Sequence, residues 1–270
     1  MQRSAGVPGR SGPPLALVTG ATSGIGRAIA LELATRGYDL LVTGRDEQAL
    51  GATTARARAA GRRATAVVCD LDDSSDISDL CGRAADLGGV DVLVNCAGRG
   101  GFGPLHGTPW ELTSELLDVN VVAATRLMAE LAPDMVARGS GHVLNIASTS
   151  GFFVNHETGV YNATKAYLVS LSRSVALELR GTGVTATAFC PGPTRSSFAE
   201  RAGLPQRRRA RRLADPADVA QAAVDAMFAG RAVVIHGRLT AAAVAASRLL
   251  PAQQVAVARR SLAHAAGARR

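Results

Sequence analysis

The chain has 270 residues, 47% of them hydrophobic but only 4% aromatic, and a formal net charge of +8. That length suits one large α/β domain or two small ones, and a core drawn mostly from Ala, Val and Leu suits helices packed on a parallel sheet. The charge does not describe a nucleic-acid binder: segments 1–13, 206–212 and 259–270 hold eleven arginines with no acidic or aromatic residue, so setting them aside takes +8 to −3, and no base-stacking surface is indicated.

In chain order, segment 1–13 is rich in Gly, Pro, Ser and Arg and is expected to be a disordered extension. No apolar run precedes Leu15, so no secretory signal is expected, and no stretch reaches the roughly 18 uninterrupted apolar residues of a membrane span. Apolar runs at Leu15–Thr19, Tyr38–Thr43, Ala64–Cys69, Val90–Asn95, His142–Ala147, Val184–Cys190 and Ala232–Ile235 alternate with longer stretches of helical spacing. This alternation predicts parallel βαβ units with helices on both faces of one sheet. Thr108-Pro109 and Asp215-Pro216 each pair a capping residue with proline at the expected first helical position, and Gly37, Gly61 and Gly139 stand where helices should stop. Residues 239–270 read as two short Ala/Arg helices separated by Pro251. Cys69, Cys81, Cys96 and Cys190 form no C-x-x-C pair and are expected to be free thiols in a reducing cytosol, which makes the chain a cytoplasmic one.

The first strand runs into Thr19-Gly20-Ala21-Thr22-Ser23-Gly24-Ile25-Gly26 and then into a helix with Ile29, Ala30 and Leu33 on one face. Glycines there permit a tight turn and let backbone N–H groups approach a pyrophosphate, beside the positive end of the helix. Gly20, Ser23, Gly24, Ile25 and Gly26 are therefore candidate cofactor-binding residues. A plain glycine-rich turn is the bland alternative, but the strand before and the helix after favour a dinucleotide site. The spacing G-x-x-x-G-x-G resembles the short-chain dehydrogenase/reductase family, and the whole pattern looks like its ketoacyl-reductase-like and hydroxysteroid-dehydrogenase-like branch. The resemblance covers about residues 14–238. It implies a single doubly wound Rossmann domain with a seven-stranded parallel sheet, homodimers or homotetramers, and a small-molecule carbonyl or alcohol substrate.

After the second strand, where an NAD enzyme would carry a carboxylate for the adenosine ribose, this chain has Gly44-Arg45. Arg45 matches a 2′-phosphate and favours NADP(H), with NAD(H) as the second choice; the alternative is a loop arginine paired with Asp46. By resemblance, Asp70-Leu71 faces the adenine, and Asn95-Cys96-Ala97-Gly98, with Cys96 replacing an Asn of the family pattern, makes the cofactor turn through Asn95, Ala97 and Gly98. Pro191, Gly192, Thr194 and Ser196 resemble the segment that holds the nicotinamide carboxamide. Arg195 has no role in that pattern.

Tyr161 and Lys165 form Y-x-x-x-K, and residues i and i+4 of a helix share a face. Ser148 lies thirteen residues before Tyr161, and Asn120 twenty-eight before Ser148. Those intervals resemble the family's Asn-Ser-Tyr-Lys set, which implies Asn120, Ser148, Tyr161 and Lys165 as catalytic residues. A free phenol titrates too high for neutral pH, and a nearby ammonium favours the phenolate. Ser148 would polarise the substrate oxygen, Lys165 would also hold the nicotinamide ribose, and Asn120 would anchor a relaying water. The chain has 29 arginines and one lysine, and that lysine is Lys165, where a compact three-donor group is wanted rather than a generic cation. A dinucleotide-binding protein without turnover is the rival class, and it would have no need of Tyr161 and Lys165 together.

Phe102, Phe152, Phe153, His156 and Phe198 are the candidate substrate residues and imply an apolar carbonyl substrate; core packing of Phe152 or Phe153 is the alternative. The five arginines of Arg207–Arg212 read as a solvated basic loop. Contact with an anionic carrier or a membrane surface is the other reading. No metal site is expected.

Overall fold

The computed structural model describes residues 12–204 and 213–249. Most of the expected N-terminal extension, the arginine run at 206–212 and the second C-terminal helix lie outside the described residues.

Seven strands form one parallel sheet: β1 (Leu15–Thr19), β2 (Asp39–Gly44), β3 (Ala64–Val68), β4 (Val92–Asn95), β5 (Gly141–Ile146), β6 (Val184–Cys190) and β7 (Val233–Ile235), in the order β3-β2-β1-β4-β5-β6-β7. Helices α1 (Gly24–Thr35), α2 (Glu47–Ala59), α3 (Ser74–Asp86), α4 (Trp110–Leu117), α5 (Ala124–Arg138) and α6 (Gly159–Glu178) join them, and α7 (Phe198–Arg201), α8 (Pro216–Phe228) and α9 (Arg238–Leu249) follow β6 and β7. The expected seven-stranded doubly wound domain is what the chain forms.

Alternation along buried strands makes two cores. Ala16 and Val18 of β1 face α1, α2 and α8 with Ile29, Leu33 and Val224, while Leu15 and Leu17 face the other side with Leu80, Leu127 and Met135. All of β1 and the first five residues of β2 are buried, which fits their largely apolar sequences. Strand order reverses between β1 and β4, so the loops that leave their C-terminal ends diverge and open a crevice there.

The stop and start signals hold with one exception. Asp215 caps α8 by accepting from the Ala217 N–H, with Pro216 in the first turn, and Gly139 closes α5 at φ 69°. Thr108-Pro109 does not behave as expected. Pro109 sits outside α4 with ψ 142°, Trp110 is the first helical residue, and the Thr108 hydroxyl donates to the Pro104 carbonyl at 3.0 Å instead of capping. The preceding turn at Leu105–Gly107 claims Thr108 and spends its hydroxyl. The C-terminal helix α9 packs on the body through Val244, which is fully buried.

Candidate active site

The crevice is a cleft of about 780 Å³ running from the glycine turn to the start of α6. At its glycine-turn end the backbone leaves no room for side chains. A Cβ on Gly26 would stand 2.2 Å from the Gly20 carbonyl oxygen, and one on Gly20, at φ 67°, would stand 2.8 Å from the Ala97 backbone. Thr19 ties that turn to the next loop: its hydroxyl donates to the Val94 carbonyl and accepts from the N–H groups of Cys96 and Ala97, both at 3.0 Å. The α1 N-terminus meets the cleft with no acidic residue in its first turn, and the Ser23 side chain caps none of its N–H groups. These residues fit a dinucleotide: a backbone cradle, unspent helix N–H groups and room for an anion.

Arg45 and Asp70 stand in the cleft just beyond the ends of β2 and β3. They pair with each other at 3.5 Å, while Asp46, the partner weighed from sequence, instead caps α2 through the Ala49 N–H. Asp72 lies beside Asp70, and burial followed by its contact with that carboxylate pushes its own carboxyl above the usual range. Gly20, Ser23, Gly24, Ile25, Gly26, Leu71, Ala97, Gly98, Pro191, Gly192, Thr194 and Ser196 all line the cleft. Arg195 points away and pairs with Asp215, and its N–H donates to the Ala214 carbonyl, so it anchors the 191–196 segment to the start of α8.

Asn95 and Asn120 do not line the cleft; they brace it from behind. Asn95 donates to Asn145 at 2.9 Å and to the Ala124 carbonyl, and Asn145 continues to Ser172 at 2.8 Å. This buried chain locks β4 and β5 to α5 and α6. Asn120 sits in a π-helical segment, Asp118–Ala123, between α4 and α5. Its side chain takes the Arg99 N–H at 2.8 Å and gives to the Arg99 carbonyl at 2.9 Å and the Thr164 hydroxyl at 3.1 Å. The signal was present in sequence only as spacing, because which backbone an amide will clamp depends on the fold.

At the chemical end, Tyr161 and Lys165 project from the first turns of α6 into the cleft, with the Lys165 ammonium 5.9 Å from the Tyr161 ring centre. Lys165 is 5% exposed and donates to the Ile146 carbonyl at 3.0 Å. Burial lowers its affinity for a proton to about 8, opposed by the thiols of Cys96 and Cys190. Burial pushes the Tyr161 phenol up to about 12, opposed by a hydrogen bond with Ser148. For the phenol, desolvation therefore outweighs that hydrogen bond. The Ser148 hydroxyl also accepts from the Ser150 N–H at 3.1 Å, which fixes its rotamer.

The substrate end divides the aromatic candidates. Phe102 and Phe198 line the cleft, joined by Val119, Leu204 and Leu213. The Phe198 ring packs on Tyr161 at 5.6 Å between centroids. Phe152 packs instead into a small core with Leu168, Val169 and Cys190. Phe153 is turned outward, and His156 is half-buried 3.9 Å from the Glu157 carboxylate; neither reaches the cleft wall. A short 3-10 turn at Thr149–Phe152 directs Phe152 back into the body, which no sequence pattern announced.

The sequence model of the short chain dehydrogenase family matches residues 14–206. This chain belongs to that family. A Streptomyces violaceoruber protein named as a ketoacyl reductase of the granaticin polyketide synthase is 39% identical over 197 residues, 72% of each chain. Among solved structures, a short-chain dehydrogenase from Sphingobium yanoikuyae in complex with NADPH superposes with a TM-score of 0.79 at 31% identity, covering 93% of this chain and 95% of that one. A short chain dehydrogenase/reductase from Burkholderia phymatum in complex with NAD superposes at 0.81 with 26% identity, covering 90% and 95%. The protein is accordingly an oxidoreductase of the dehydrogenase/reductase kind, and its ketoacyl-reductase-like sequence agrees with the branch its motifs resemble.

Proposed function

We propose that the protein is an NADP(H)-dependent carbonyl reductase for apolar, ketoacyl-type substrates, with Tyr161 as the acid. One observation carries the reading: Ser148, Tyr161 and the sole lysine, one turn further along α6 from Tyr161, line one cleft, with Tyr161 and Lys165 on one helix face. The similar structures were solved with NADPH in one case and NAD in the other, which agrees with NADP(H) as the preferred cofactor and NAD(H) as a possible one. Arg45 on the adenosine rim, with no carboxylate at Gly44, favours NADP(H). The apolar wall of Phe102, Phe198 and Leu204 and the ketoacyl-reductase name of the relative support the substrate class.

The nicotinamide, when bound, supplies or accepts the hydride. Ser148 donates to the substrate oxygen and polarises it. Tyr161 delivers its proton to that oxygen as charge develops there, and takes it back in the oxidative direction. A phenol that burial keeps protonated is the state from which a donor starts. Lys165 holds the ribose and lowers the cost of the phenolate that Tyr161 leaves behind. Asn120 keeps the floor of the site in place through Arg99 and Thr164, and the family resemblance adds an anchored water.

Purified protein is assayed for NADPH oxidation with aldehydes, ketosteroids and ketoacyl thioesters, the last group expected to be turned over best. Tyr161→Phe should reduce kcat by about 10²-fold or more while NADPH binding, followed by nicotinamide fluorescence, stays intact. Undiminished turnover in that variant would refute the assignment.

A further inference from the structure

Three guanidinium groups line the cleft, and two are neutralised by carboxylates. Arg45 is paired with Asp70, and Arg99 is held between Asp72 and Glu115. The third, Arg201, makes no ion pair among the described residues. One of its nitrogens donates to the Ser197 hydroxyl at 2.5 Å, and another reaches the Ser23 hydroxyl at 3.5 Å. Ser23 is the residue before Gly24 at the head of α1, on the opposite wall of the cleft. Arg201 therefore spans the mouth and places an uncompensated cation over the helix end that the glycine turn exposes.

Its position is not that of a loose surface side chain. Phe198 stacks near Tyr161, and a Cβ added at Gly100 would meet Ala202 at 2.5 Å and the Phe198 ring at 2.9 Å. The segment carrying Arg201 is thus pressed onto the cleft wall at residues on either side of it. Each phosphate monoester adds about −1.5 to −2 charges near neutral pH, and planar guanidinium groups match phosphate oxygens in pairs. We propose that Arg201 is a cofactor-phosphate ligand that closes over the dinucleotide from the wall opposite the glycine turn, complementing Arg45. The proposal rests on the reading of the cleft as an NADP(H) site, and adds a residue from a segment that the glycine and tyrosine motifs do not include.

The test measures Kd for NADPH and for NADH by nicotinamide fluorescence in wild type, Arg201→Gln, Arg201→Lys and Arg45→Ala. Arg201→Gln should weaken NADPH roughly tenfold or more and flatten the dependence of Kd on salt, with Arg201→Lys between it and wild type. Loss confined to NADPH assigns the contact to the 2′-phosphate; equal loss for both cofactors assigns it to the pyrophosphate. Arg45→Ala should weaken NADPH by roughly 10- to 100-fold and leave NADH little changed, which checks the underlying cofactor reading separately. Because Arg201 is exposed, melting temperatures should match wild type in the absence of cofactor. Wild-type affinity of Arg201→Gln for both cofactors overturns the proposal, as does a variant whose only change is a higher KM for the carbonyl substrate. A wild type that binds neither cofactor overturns the proposal together with the reading beneath it.

Discussion

At the scale of single residues, Lys165 is the costliest group in the site. Its ordinary proton affinity of 10.5 falls to about 8 in the folded protein, with burial as the leading cause. Below pH 8 the folded chain must shelter an ammonium that the unfolded chain leaves in water. Between about 8 and 10.5 the unfolded chain still binds that proton while the folded one has released it, so stability rises with pH across this window. Tyr161 acts in the opposite sense: raised from 10.0 to about 12, it contributes stability that is lost as pH climbs through that range. Lys165→Met should therefore melt higher than wild type near pH 7, by something on the order of 1–3 kcal/mol, less the donor lost to the Ile146 carbonyl. The advantage should shrink steadily towards pH 10. Thermal melts of both proteins across that range check it, and a gap independent of pH would mean that Lys165 keeps its ordinary affinity. On the role proposed for Lys165, the same substitution should abolish turnover.

At the scale of elements, the π-helical segment and the 3-10 turn after β5 decide which side chains reach the site. A widened turn at Asp118–Ala123 aims Asn120 at the backbone of Arg99, satisfying both its N–H and its carbonyl. Asn120→Ala strands both groups beneath the cleft. It should cost about 2–4 kcal/mol in urea unfolding and loosen the Arg99 loop, which amide exchange there would register. The 3-10 turn at Thr149–Phe152 gives a contrast between two phenylalanines of similar sequence promise. Phe198→Ala should flatten the rise of kcat/KM along a series of ketones of increasing chain length, where wild type gains roughly fourfold for each buried methylene. Its melting temperature should hardly move. Phe152→Ala should do the reverse, lowering the melting temperature by several degrees for a loss of about 2–4 kcal/mol and keeping the chain-length slope. Identical behaviour of the two variants would mean that the wall and the core are not separate.

At the scale of the whole molecule, two apolar cores on opposite faces of one sheet hold the site where strand order reverses. Its glycine-turn end comes from the β1–α1 loop, the end with Ser148, Tyr161 and Lys165 from β5 and α6, and its mouth from α7 beyond β6. These elements are far apart in the chain and meet only because β1 and β4 are neighbours whose loops part. Among the described residues, no helix is long and apolar enough to cross a membrane.

Much of this was legible along the chain, because strand runs, glycine spacing and Y-x-x-x-K are local patterns set by backbone sterics and helical geometry. The seven strands, the tight glycine turn around Gly20–Gly26 and the shared face of Tyr161 and Lys165 needed nothing more. The Thr108-Pro109 start failed because a neighbouring turn competed for the same hydroxyl. Packing alone decided that Asn95 and Asn120 support the cleft from behind, that Arg45 meets Asp70 and not Asp46, and that Phe198 lines the wall while Phe152 leaves it. Packing also brought Arg201 to Ser23 across 178 residues of sequence. A side chain's partner across the fold is set by which elements the sheet makes adjacent, and no local periodicity carries that information.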